Sequence, residues 1–110
     1  MLETIKSSIE ISYLFNHGTR LNSSSITLLM SEDTAQHDRP GRVAFVAGKK
    51  NGNAVWRNKA KRRMRALCQD LGGPWQGYDV IFIAKKQTTQ ASYSKVLEAC
   101  NVVLSRKGLR

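Results

Sequence analysis

Acidic side chains are scarce in this chain. Eight Asp and Glu stand against eighteen Lys and Arg, a formal net charge of +10 over 110 residues. Such an excess repels itself in the compact state and favours polyanionic partners, nucleic acid or an anionic membrane surface. Long apolar runs are missing as well: no stretch approaches the roughly 20 residues of a membrane span. Met1 to Ser8 has no apolar core between a basic end and a cleavage site, so no secretory signal is expected there. The two cysteines, Cys68 and Cys100, lie far apart and outside any C-x-x-C spacing. Both fall on apolar stripes of expected helices and read as reduced, buried small hydrophobes of a cytoplasmic protein.

Clustered catalytic groups are also lacking. A hydrolytic metal site needs convergent carboxylates or histidines. Here Glu32 and Asp33 share a loop, while Glu3, Glu10, Asp38, Asp70, Asp79 and Glu98 are scattered and His17 and His37 are isolated. No nucleophile–base pair emerges from the spacing. A binding protein, with no dedicated metal site of its own, is the expectation.

What is present is ordered patterning, of a length that suits one domain over residues 1–110. Ile11, Leu14 and Phe15 repeat at helical spacing within a helix from about Ser8 to His17, with Gly18 available as a left-handed stop. A strand is expected over Ser25–Ser31, with a further short one near Arg20 to Asn22. The polar, turn-rich segment Glu32–Gly41 reads as a loop. Val43, Phe45 and Val46 mark a strand over Arg42–Gly48. A helix from Ala54 to about Leu71, capped by Asn53, stops at Gly72-Gly73-Pro74. The apolar run Asp79–Ala84 suits a strand buried on both faces. Val96, Leu97, Cys100, Val103 and Leu104 place an amphipathic helix over Ser92 to about Ser105. The order α-β-β-β-α-β-α is an α+β arrangement, helices packed on a small sheet.

Charge gathers on the middle helix. From Arg39 to Gln69 no acid interrupts Arg39, Arg42, Lys49, Lys50, Arg57, Lys59, Lys61, Arg62, Arg63 and Arg65. Solvated helix faces usually mix signs at i, i+4, yet Arg57, Lys61 and Arg65 stack like charges there. With about 100° per residue, Arg57, Asn58, Lys61, Arg62 and Arg65 share one face. Trp56, Ala60, Met64, Leu67 and Leu71 form an adjacent apolar stripe. Lys59 and Arg63 fall outside both and read as general solvated charge. Arginine forks suit phosphate oxygens, lysine adds a point charge, and an asparagine can serve a 2′-hydroxyl or base edge. Lys49 and Lys50 precede the helix N-terminus, where backbone amides also attract phosphate.

The segment GKKNGNAVWRNKAKRRMRAL resembles the signature of the bacterial ribonuclease P protein family, R-N-x-x-K-R-x-x-R, met by Arg57, Asn58, Lys61, Arg62 and Arg65. Lys49, Lys50, Gly52 and Asn53 match the preceding loop. FNHGTR at Phe15 to Arg20 and GYDVIFIAKK at Gly77 to Lys86 are similar to two further family regions, in the same order. The resemblance implies a four-stranded sheet with three helices and a left-handed β-α-β crossover, against the usual hand. It implies a subunit that does not itself cut RNA. A catalytic RNA using Mg2+ removes the 5′ leader of precursor tRNA, while Lys49, Lys50, Asn53 and the five signature residues bind RNA.

A cleft between the first helix and the sheet would hold the single-stranded leader, with Ile11, Phe15, Leu29 and Phe45 as its candidates. Phe15 matches an aromatic position of the family. Ile11 and Leu29 stand where aromatics are usual, and Phe45 is equally suited to core packing. Ala60 is smaller than the family's usual residue on the docking stripe, a space Trp56 is placed to fill. Partners implied are the catalytic RNA and precursor tRNA, with no membrane and no evident obligate protein partner. A ribosomal or general RNA-binding protein shares the charge pattern. A DNA-binding module would need a helix-turn-helix, whereas Gly52-Asn53 follows a strand.

Overall fold

A computed structural model describes residues 8–32 and 40–108. Helix α1 (Ser8–His17) leads into β1 (Thr19–Asn22) and β2 (Ile26–Glu32). Strand β3 (Arg42–Val46) and a 3-10 turn at Lys49–Asn51 precede helix α2 (Ala54–Asp70). Strand β4 (Tyr78–Ala84), the single turn α3 (Gln87–Gln90) and α4 (Tyr93–Arg106) complete the order. Most of the expected loop after β2 lies outside the described residues. The expected three helices become four, because Gln87–Gln90 closes a turn of its own. Its origin is tertiary: the Thr88 hydroxyl accepts from the Lys85 amide at 2.9 Å and donates to the Ser25 carbonyl at 2.5 Å.

The sheet is mixed, in the order β1-β2-β4-β3. β1 and β4 flank β2 antiparallel, while β3 runs parallel to β4, with Val43 opposite Val80 and Phe45 opposite Phe82. A parallel neighbour requires a crossover, and α2 is that crossover.

Side chains alternate across strands, and here both faces are apolar. Ile26, Leu28, Val43, Val80 and Phe82 join Ala60, Met64, Leu67, Cys68 and Leu71 of the α2 segment and Val96, Cys100 and Leu104 of α4 in the main core. On the opposite face Leu29, Ala44 and Ile81 pack with Leu14 of α1. β4 is therefore covered on both sides, which its continuous apolar run anticipated.

Two glycines act differently. After α2, Gly72 adopts φ 89°, its amide donates to Gln69, and the Gly73 amide donates to Cys68, which is a Schellman closure. Gly18 does not take the expected left-handed conformation, since the described positive φ values belong to Gly72, Gly77 and Gly108. Close approach explains it instead: a Cβ there would lie 2.7 Å from the Leu14 carbonyl and 3.1 Å from that of Met30.

Candidate RNA interface

The N-terminus of α2 is held from three sides. The Asn53 side chain accepts from the Trp56 amide at 3.0 Å, so the expected cap forms. Gly52 lies flat against the indole, where a Cβ would come within 2.8 Å of the ring. The indole Nε1 donates to the Thr89 hydroxyl at 2.8 Å, anchoring α2 to α3. Trp56 also packs on the main core beside the fully buried Ala60. Lys49 and Lys50 stand exposed on the 3-10 turn just ahead of this cap, and Asn53 is exposed as well.

Along α2 the angular sorting holds. Asn58, Arg62 and Arg65 are exposed, and Arg57 and Lys61 are half-buried beside the docking stripe. None of these four cations pairs with a carboxylate among the described residues. The helix's lone acid, Asp70, instead accepts from the Tyr93 hydroxyl at 2.5 Å. A second acid near the sheet, Asp79, takes a two-pronged bond from Arg42, at 3.1 Å from Nε and 2.9 Å from the terminal nitrogen. Among the described residues the basic face thus has no internal neutralisation.

Arg63 departs from its expected role as solvated charge. It donates to the Thr88 carbonyl at 3.0 Å and the Ala91 carbonyl at 2.7 Å, and its guanidinium lies 5.8 Å from the Tyr93 ring centre. It braces α2 against the α3–α4 connection. Lys59 is exposed, as its angle suggested.

The cleft candidates divide. Ile11, like Val46 and Ile83, packs against the buried cluster of Leu14, Leu29, Ala44 and Ile81 on the α1 face of the sheet. Phe15 is 38% exposed. Leu29 belongs to the same face but is 1% exposed, so it forms buried floor and offers no surface to a ligand. Phe45 is on the wrong face for the cleft. Strand parity turns it toward Phe82, 5.5 Å between ring centres, and beneath Arg65, 5.6 Å from its guanidinium. Val46, its neighbour in the chain, faces α1 instead. Val46 and Ile83 stand half-buried on this α1 face although neither was among the sequence candidates, and only the register pairing them reveals it. Lys86 was missed too: it leaves β4 at the same end of the sheet at which Lys49 and Lys50 follow β3, and it is exposed.

A mixed sheet whose crossover helix presents a row of arginine and lysine, unpaired among the described residues, defines an α+β RNA-binding protein. The Ribonuclease P family model matches residues 2–108. The chain belongs to the ribonuclease P protein family. A ribonuclease P protein component from Natranaerobius thermophilus is 33% identical over 94 residues, 84% of this chain and 78% of that protein. One from Nitratiruptor is 29% identical over 105 residues, covering 96% and 92%. In fold, the chain is similar to the RNase P protein of Staphylococcus aureus, with a TM-score of 0.78 at 21% identity over 99% of this chain and 98% of that one. It is also similar to that of Thermotoga maritima, with a TM-score of 0.76 at 23% identity over 94% and 96%.

Proposed function

We propose that this chain serves ribonuclease P as its non-catalytic protein subunit, binding the catalytic RNA and the 5′ leader of precursor tRNA while the RNA performs the cleavage. One observation carries the reading: Arg57, Lys61, Arg62 and Arg65 form a row of cations on an anchored helix, with no carboxylate paired to any of them among the described residues. Docking RNA phosphates there releases condensed counterions and removes the self-repulsion of the row. Asn58 stands among the cations with one donor group and one acceptor, suited to a 2′-hydroxyl or base edge. Lys49, Lys50 and Asn53 extend the same surface to the helix N-terminus.

The leader is assigned to the α1 face, where Phe15, Ile11, Val46 and Ile83 offer one exposed ring and aliphatic surface. Single strands favour stacking surfaces with cationic rims, and one ring in place of several leaves shape and charge a larger share of the contact. Magnesium is assigned to the RNA. Among the described residues no three His, Cys, Asp or Glu side chains gather into a cation site, and the Asp79 carboxylate is already engaged by Arg42. By neutralising phosphates, α2 would let RNA, substrate and metal approach with less repulsion.

Reconstitution tests the reading. The purified protein alone should leave precursor tRNA intact, and adding it to its cognate RNA should lower the magnesium concentration needed for leader removal. Leader cleavage by protein free of RNA would overturn it.

A further inference from the structure

A second polar concavity lies away from both surfaces. A cavity of about 510 Å3 opens between the β1–β2 turn, α3 and the first turns of α4. Its polar wall consists of Ser24, Ser25, Gln87, Gln90, Ser92 and Lys95. The volume falls in the range of small-ligand sites, roughly 300–1,000 Å3. Three hydroxyls, two primary amides and one ammonium line it, and no carboxylate does. Glu98 of α4 is not on the wall, and α2 contributes nothing to it.

The local hydrogen bonds leave these groups available. α3 is tied to the β1–β2 turn by Thr88, whose hydroxyl holds the Ser25 carbonyl, so the lining side chains are not spent on that contact. Gln87 Nε2 donates to Gln90 Oε1 at 3.2 Å, which leaves the Gln87 oxygen as an acceptor and the Gln90 nitrogen as a donor. Ser92 caps α4 by accepting from the Lys95 amide at 3.3 Å. The first turn of a helix keeps amides without intrahelical partners and a partial positive charge, and Lys95 adds a full one. Ser25 is 5% exposed, yet its hydroxyl has no hydrogen-bond partner among the described residues. Burying an unpaired hydroxyl is unfavourable, and a ligand atom would relieve it.

We propose that this cavity binds one phosphorylated ribonucleotide of a partner RNA. Its phosphate sits between Lys95 and the first turn of α4, and its base edge meets the acceptor of Gln87 and the donor of Gln90. The assignment rests on the RNA-binding reading above but is a separate contact from the α2 face.

The test is an NMR titration of the full chain with adenosine 5′-monophosphate, and in parallel with inorganic phosphate. The amides of Ser25, Gln90, Ser92 and Lys95 should shift and saturate with the nucleotide. Lys95→Glu should weaken that binding about tenfold, the loss of one charge-assisted hydrogen bond. Gln90→Ala, at an exposed position, should weaken nucleotide binding while sparing phosphate, and it carries the test if Lys95→Glu misfolds. Shifts confined to α2, or phosphate binding as tightly as the nucleotide, would overturn the assignment. Filter binding of both variants to the catalytic RNA and to precursor tRNA separately identifies which RNA supplies the nucleotide, and undiminished binding to both would also overturn it. A wild-type chain that bound neither RNA would refute the proposed function, whereas the mononucleotide titration tests the cavity itself, independently of that outcome.

Discussion

The guanidinium of Arg65 lies over the ring of Phe45, 5.6 Å from its centre. The contact ties the last cation of the α2 face to β3, an edge strand of the sheet, and holds an otherwise exposed arginine in place. Cation–π contacts at exposed sites are worth about 0.5–1 kcal/mol. Arg65→Ala should therefore weaken binding to the catalytic RNA and lower the salt slope of log K by about one. Phe45→Leu should weaken binding only about twofold, the low end of that cation–π range, with the slope kept. Filter binding across a salt series separates the two, and an unchanged slope for Arg65→Ala would remove Arg65 from the phosphate contacts.

Arg63 and Arg62 are adjacent and should behave oppositely. Arg63 gives two hydrogen bonds to backbone carbonyls, so Arg63→Ala should cost about 2 kcal/mol of stability, in the range of hydrogen bonds to charged groups. Its salt slope for RNA should match wild type. Arg62→Ala should leave the urea midpoint almost unmoved and reduce the slope, and Lys59→Ala should change neither. Urea unfolding beside RNA binding reads both quantities from the same proteins.

Phe15 is the exposed α1 ring at the helical spacing of Ile11 and Leu14, whereas Tyr13, 58% exposed, stacks on His17. If the leader stacks on Phe15, Phe15→Ala should weaken binding of a leader-bearing precursor by about 1–3 kcal/mol. Binding of the same tRNA without its leader should be unaffected. Equal losses for both RNAs would place the leader elsewhere.

Alkaline pH should destabilise the fold through three groups. Burial pushes the Cys68 thiol up to about 11 and the Cys100 thiol up to about 12. Desolvation, then the hydrogen bond to Asp70, pushes Tyr93 up to about 12. A raised folded-state value favours the protonated form, so the contribution is complete below the ordinary values of 9.0 for the thiols and 10.0 for the phenol. It is lost as pH climbs through the raised values. The urea midpoint should fall from about pH 9 to about pH 12, and Cys68→Ala with Cys100→Ala should flatten the early part of that fall. In the native protein at neutral pH both thiols should resist a soluble disulfide reagent until urea unfolds the chain.

Much of this protein was legible in its sequence because the relevant information is local. Periodicity placed α1, α2 and α4, Asn53 was readable as the cap of α2, and the unbroken apolar run of β4 announced burial on both faces. The row Arg57, Lys61, Arg65 with Asn58 and Arg62 was separable from the docking stripe by helical geometry alone, since 3.6 residues per turn is a property of the backbone.

Tertiary structure decided the rest. Whether Phe45 or its neighbour Val46 faces α1 depends on strand parity relative to β4, and a shift of one residue exchanges the faces. Arg63 looks like solvated charge until α3, held by Thr88 against the β1–β2 turn more than sixty residues earlier, brings two carbonyls beneath it. Gly18 was legible as a helix stop, but the constraint on it is the packing of α1 against β2 and not its own φ. For Phe45 and Arg63 the deciding partner is distant in the chain, so no window of neighbouring residues could have held the answer.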